Sequence, residues 1–144
     1  RVSEAKVKID DAITGQIKQG YLILLGIVEE DSKEDITWLV NKIINLRIFS
    51  DSDGKMNLSI KDIDGEILLI SQFTLFASTK KGNRPSFIKS AKPDAAIPLY
   101  KSFINELTIA LGRPIKTGEF GANMQVSLTN DGPITIIIDS KNKE

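Results

Sequence analysis

Glu66–Phe87 reads EILLISQFTLFASTKKGNRPSF, and how it folds decides how the rest of the chain is arranged. Ile67–Leu68–Leu69–Ile70 is a short apolar run of the kind that marks a fully buried strand. Ser71, Gln72 and Thr74 then place hydroxyls and an amide among Phe73 and Leu75. Polar groups in an apolar strand cost free energy unless each finds a hydrogen-bond partner. Lys80–Lys81–Gly82–Asn83–Arg84–Pro85 leaves the strand as a basic loop. Polar atoms at a strand end, followed by a cationic loop, lay out a site for an anionic substrate. A strand whose polar residues simply meet loop backbone fits the same pattern.

The neighbouring segments supply the sheet around this run. Val2–Ile9 alternates as a half-buried strand, and Asp10–Asp11 turns it into a second strand at Thr14–Ile17. Tyr21–Val28 is continuously apolar and reads as a central strand. Ser32 is a good N-cap, with Asp35 three residues on, so a helix starts there. Ile36, Leu39, Val40, Ile43 and Ile44 share one face of it, while Trp38 lies off the stripe. The helix fades at Asn45–Leu46, and Arg47–Ser50 is extended. Asp51–Ser52–Asp53–Gly54 resembles the start of a calcium loop, but Met56 and Leu58 fall where oxygen ligands are needed. It is read instead as a hairpin turn. Met56–Ile63 and Ile67–Phe76 are expected to pair across Asp64–Gly65.

Pro93–Gly112 forms the second helix, with Leu99, Tyr100, Phe103, Leu107, Ala110 and Leu111 on one face. Pro98 removes a backbone donor near its start, so regular helix begins there or the start is bent. Ile115–Phe120 and Met124–Thr129 are extended, Asn130–Pro133 turns the chain, and Ile134–Ile138 is read as the last strand. The whole is one domain over residues 1–144, of α+β class: a mostly antiparallel sheet or barrel-like roll with two main α-helices packed on it.

Composition narrows the chemistry. The 144 residues are 41% hydrophobic and 26% charged, ordinary for a soluble globular protein, and the formal net charge is zero. Any affinity for nucleic acid must therefore come from a local patch. No apolar run approaches a membrane span, and there is no signal-peptide pattern and no Cys, so a cytoplasmic location is expected. The chain opens on Arg1 rather than Met, which suggests that a few residues of the first strand precede it. There is neither His nor Cys, so Ser–His–Asp triads, Cys–His nucleophiles and zinc sites built on those residues are excluded. No cofactor and no metal is expected. An enzyme with this composition works through hydroxyls, amides, carboxylates, Lys, backbone groups or its own substrate.

Two further features bear on function. Gly132–Pro133 sits in the last turn; an X–Pro bond is cis in only about 5–6% of cases, so a trans turn is the ordinary expectation. A cis bond at this Gly–Pro would face two successive carbonyls the same way, an acceptor pair suited to an ammonium group. Lys80, Lys81, Arg84, Lys89 and Lys92 form a cationic cluster that can neutralise phosphates, or can equally be a solvated loop.

Ser71-Gln-Phe-Thr-Leu75, Gly82-x-Arg-Pro-Ser-Phe87 and Met124-Gln-Val-Ser-Leu128 followed by Asn130-Asp-Gly-Pro133 resemble the motifs of the D-aminoacyl-tRNA deacylases. Leu46-Arg-Ile-Phe49 and Gly54-Lys-Met-Asn-Leu58 are similar to further segments of that family, and the match runs in order from Arg1 to Asp139. The resemblance implies hydrolysis of the ester between a D-amino acid and the terminal ribose of tRNA, by a homodimer with sites at the subunit interface. It implies catalytic roles for Ser71, Gln72, Phe73 and Thr74, and substrate binding by Arg1, Met124, Gly132 and Pro133. Lys80, Lys81, Arg84 and Lys89 would meet RNA. Without His, backbone N–H groups near Phe73–Thr74 and the substrate's 2′-OH answer the chemical requirement better than Thr74 as a nucleophile, which has no evident base. If backbone carbonyls hold the amino group, an L side chain clashes and glycine does not, so glycyl-tRNA is an expected second substrate. The alternatives are a non-catalytic tRNA-binding module and a hydrolase of small D-amino-acid esters or amides.

Overall fold

A computed structural model describes residues 1–144. Eight strands, two α-helices and one 3₁₀ turn follow in the order β1 (Val2–Ile9), β2 (Ala12–Ile17), β3 (Gly20–Leu25), α1 (Lys33–Asn45), β4 (Phe49–Ser50), β5 (Met56–Leu58), β6 (Glu66–Ser71), the 3₁₀ turn (Phe73–Phe76), α2 (Pro93–Leu111), β7 (Lys116–Thr117) and β8 (Gln125–Asn130). The main sheet runs β2-β1-β3-β6-β7, with β8 also paired to β1, and it curls into a barrel-like roll. Strand β1 is antiparallel to β2, β3 and β8. The α+β architecture with two helices on a mostly antiparallel sheet is therefore the observed one. No helix is long and apolar enough to cross a membrane.

Strand β6 is the centre because both of its faces are covered. Ile67 and Leu69 join a fifteen-residue core with both helices, while Leu68 and Ile70 join a second cluster with Val2, Ala5, Val7 and Ile17 inside the roll. A strand buried on both faces needs no polar alternation, which is why the run reads as continuously apolar. Its neighbours β3 and β7 are both parallel to it. Parallel neighbours require a long crossover, and α1 and α2 lie in the two crossovers.

Both helices follow their sequence signals. The Asp35 carboxylate accepts hydrogen bonds from Ser32 N at 2.8 Å and Ser32 Oγ at 3.2 Å, closing the start of α1. Ile36, Val40, Ile43 and Ile44 are its buried stripe, and Trp38 packs instead against the ammonium groups of Lys42 and Lys143. Helix α2 runs from Pro93 through Pro98 and ends at Gly112, which adopts φ 86°. In the core, Tyr21 and Tyr100 bury hydroxyls that have no partner, and burial pushes the Tyr21 phenol up to about 12.

Several strand expectations need correction. Met56–Ile63 does not pair with Ile67–Phe76. Only Met56–Leu58 is a strand, and it pairs with β4 across the Asp51–Gly54 turn, where Asp51 Oδ1 accepts from Asp53 N and Lys55 N at 2.9 and 3.0 Å. Ser59 and Asp62 then exchange side-chain-to-backbone hydrogen bonds at 2.8 and 3.2 Å, folding the chain into a turn that drives Ile60 into the core. The chain after Ser71 leaves the sheet, and Phe73–Phe76 is a 3₁₀ turn. Strand β3 stops at Leu25, three residues short of Val28, and only Lys116–Thr117 of Ile115–Phe120 enters the sheet. Ile134–Ile138 is in no strand. The segment is held before its start by Asn130 and after its end by Lys141, whose Nζ donates to Asp35 Oδ2 at 2.9 Å, and it spans between them without a ladder partner.

Candidate active site

Where β6 ends, Gln72 N donates to Leu25 O at 2.8 Å, carrying the ladder with β3 one residue further. The chain then bends into the 3₁₀ turn. Beside this bend lies a cleft of about 310 Å³. Ser71, Gln72 and Phe73 line one wall, and the Phe120–Asn123 loop with Met124 lines another. Met124 reaches the cleft because Gly118 leaves room for it, since a Cβ at 118 would strike Met124 Sδ and approach Ile70 Cδ1 at 3.2 Å. None of the fourteen lining residues carries an ionisable side chain, and ten are apolar. Tyr100 packs behind Phe120 with ring centroids 5.6 Å apart; burial raises its phenol pKa, and it does not line the cleft.

Four of the expected residues, Ser71, Gln72, Phe73 and Met124, thus come together. Thr74 is not among the lining residues: its hydroxyl accepts a hydrogen bond from Gln72 Nε2. The carbonyl of Phe73 accepts one from Ser90 Oγ at 2.8 Å. The Phe120–Asn123 loop and Ser90 were not singled out by sequence. Gly121, at φ 80°, and Asn123 are turn signals in that loop, and nothing in the spacing of Ser90 points to Phe73.

Arg1, Gly132 and Pro133 lie outside this cleft and form a separate constellation. The Gly132–Pro133 peptide is cis. Arg1 Nε donates to Asp131 O at 3.0 Å, its backbone nitrogen to Ile134 O at 3.0 Å, and Nη1 to Ile48 O at 2.8 Å. Asp131 N returns a bond to Arg1 O at 2.9 Å, and Asn130 Oδ1 accepts from Ile134 N at 2.8 Å. The arginine therefore clamps both flanks of the Gly–Pro pair and ties them to the chain entering β4.

Lys80, Lys81, Arg84, Lys89 and Lys92 are all exposed, and none takes part in an ion pair. The first three sit on a loop closed by reciprocal backbone bonds between Ser78 and Ser86 at 2.7 and 2.9 Å. No group of three or more acidic residues is placed to hold a metal ion.

The family model described as D-Tyr-tRNA(Tyr) deacylase matches residues 1–139, nearly the entire chain. The chain belongs to the D-Tyr-tRNA(Tyr) deacylase family. Curated relatives named D-aminoacyl-tRNA deacylase are 63% identical in Flavobacterium psychrophilum and 62% identical in Bacteroides fragilis, each over all of this chain and 96% of the relative. A solved structure titled c-Myc DNA Unwinding Element Binding Protein is similar at TM-score 0.88 and 42% identity, covering 94% of this chain and 92% of that one. Another, titled as a probable eukaryotic D-amino acid tRNA deacylase, has TM-score 0.74 at 16% identity over 88% and 89% of the two chains, which shows a shared fold. Deacylase-family membership and the cleft at the end of β6 are thus independent observations on one molecule.

Proposed function

We propose that this deacylase-family chain hydrolyses the ester joining a D-amino acid to the terminal ribose of tRNA, in a site completed by a second copy of itself. The observation that carries this reading is the cleft that gathers Ser71, Gln72 and Phe73 with no ionisable group in its lining. A hydrolase built there must stabilise the carbonyl oxygen with neutral donors, and the candidates are the backbone N–H of Phe73, in the lining, and that of Thr74, the next residue along the 3₁₀ turn at the edge of the cleft. The terminal adenosine enters the apolar cleft. Water attacks the ester carbonyl carbon, and the ribose 2′-OH orients it and passes on its proton. The C–O bond to the ribose breaks, the ribose oxygen takes that proton, and free amino acid and tRNA leave. The exposed cations Lys80, Lys81, Arg84 and Lys89 lie along the phosphates and make binding salt-sensitive.

A second copy enters because Gly132 and Pro133 lie outside the cleft of their own chain. Phe73 and Leu75 beside the cleft are 56% and 55% exposed, and Ile137 beyond the Gly–Pro loop is 93% exposed. Apolar side chains this open suit an interface between copies. In that arrangement the partner's loop offers the Gly132 and Pro133 carbonyls to the substrate's α-amino group. An L side chain is then directed into backbone, a D side chain outward, and glycine is accepted for want of a side chain.

The chemistry at Thr74 is tested by Thr74→Ala. The hydroxyl meets only Gln72, and the lining provides no base to activate it. The variant retains at least roughly a tenth of the parental initial rate on D-tyrosyl-tRNA, the largest loss expected of one neutral hydrogen bond. A fall of about a thousandfold or more would make Thr74 the nucleophile.

A further inference from the structure

The basic loop and the reactive turn are joined, and the joint falls on one peptide. Phe87, at the end of the loop, sets its ring edge-on to Phe73 with centroids 5.1 Å apart. Ser90 follows and is fixed to the body of the protein: it bridges Val28, and the next residue, Ala91, donates its N–H to Ile27 O at 2.8 Å. From that seat Ser90 Oγ donates to Phe73 O at 2.8 Å. Ser90 itself does not line the cleft.

The carbonyl of Phe73 and the N–H of Thr74 belong to the same planar unit, and in a trans peptide they point in opposite directions. A hydrogen bond that holds the carbonyl therefore also aims the N–H. It further polarises the peptide, which strengthens the N–H as a donor. We infer that Ser90 is a positioning residue for the deacylation: its hydroxyl, acting through the Phe73 carbonyl, directs the Thr74 N–H at the developing oxyanion. This rests on the assignment of that N–H under Proposed function. The linkage also places the basic loop and the oxyanion donor on one connected piece of chain, so phosphates bound at the loop lie in fixed register with the ester.

Single-turnover deacylation of D-tyrosyl-tRNA by the full chain, measured against enzyme concentration, tests this. Deleting an oxyanion donor outright costs about 10²–10³ in rate, so loosening one is expected to cost about tenfold. Ser90→Ala lowers the saturating rate by that factor and leaves the half-saturating concentration and the melting temperature unchanged. Ser90→Cys keeps the side chain's size but is a weak donor, and it loses rate to a similar degree. Ser90→Thr restores the hydroxyl and returns the rate to within about threefold of the parent, as one recovered hydrogen bond allows. A Ser90→Ala or Ser90→Cys rate within twofold of an active parent overturns the inference and leaves the deacylase reading standing. So does a loss confined to half-saturation, or one that tracks a lowered melting temperature and is not rescued by threonine. A parental chain that leaves D-tyrosyl-tRNA intact overturns both.

Discussion

Gly132→Val yields a folded protein that releases D-tyrosine from D-tyrosyl-tRNA at least about a hundredfold more slowly than the parental chain. Gly132 holds φ at +133°, a region that side-chain-bearing residues avoid and β-branched residues avoid most. A Cβ there would also stand 2.8 Å from Ile134 Cγ1 and 3.1 Å from Ile134 N. Forcing a side chain into that geometry costs on the order of 1–3 kcal/mol, less than the roughly 5–15 kcal/mol that holds a domain of this size together. The sheet and helices therefore survive while the loop shifts. The shift cannot be absorbed freely, because Arg1 and Asn130 grip the loop on both sides. A displacement of about 1 Å at a positioning group is enough for about a 10²-fold loss. Circular dichroism and a thermal melt establish the fold, and initial rates establish the activity. A near-parental rate would remove the Gly–Pro loop from the reacting site.

D-tyrosyl-tRNA is hydrolysed at least about a thousandfold faster than L-tyrosyl-tRNA, which corresponds to a difference of about 4 kcal/mol between the two transition states. A difference this large follows from what does the excluding. A pocket made of flexible side chains yields to a misplaced group by changing rotamers. Carbonyls in a loop clamped by the backbone nitrogen and guanidinium of Arg1 do not, so the L side chain must overlap backbone or give up the amino-group contacts. Exclusion of one hand also leaves the D side chain unread, so D-phenylalanyl- and D-aspartyl-tRNA react at comparable rates. Glycyl-tRNA, without a side chain, is hydrolysed as well. Parallel assays with the five matched charged tRNAs check these rates, and similar rates for the D and L forms of tyrosyl-tRNA would rule out exclusion by shape.

Much of this molecule was legible in its residues, and the parts that were not share a physical cause. Periodicity disclosed both helices and their buried stripes, and Asp51–Gly54 disclosed its turn through side-chain chemistry local to the chain. Strand β6 disclosed its burial but not its partners. Leu68 and Leu69 are both fully buried, and a run without alternation says nothing about which strands flank it or in which direction. That is how a hairpin with Met56–Ile63 came to be expected where two parallel pairings stand. Ile134–Ile138 has the β-branched composition of a strand, yet strand formation depends on a paired neighbour, and beyond the bond from Arg1 N to Ile134 O no ladder runs along it. The polar residues after Ile70 fall beside a cleft, but composition could not show that the Thr74 hydroxyl turns to Gln72 while Ser71 and Gln72 line that cleft. Ser90 was silent because its contact with Phe73 joins positions seventeen residues apart through tertiary structure alone.

The proposed reacting site has no ionisable side chain in its lining and borrows a hydroxyl from its substrate. The most direct measurement is the deacylation rate of D-tyrosyl-tRNA ending in 2′-deoxyadenosine beside the same tRNA ending in adenosine. Loss of a group that aids proton transfer is worth about 10²–10⁴ in rate, and a slowing of that size is the expected result, with binding of the two tRNAs alike. Equal rates on both would mean that a side chain of the protein carries the proton chemistry, which would contradict the account.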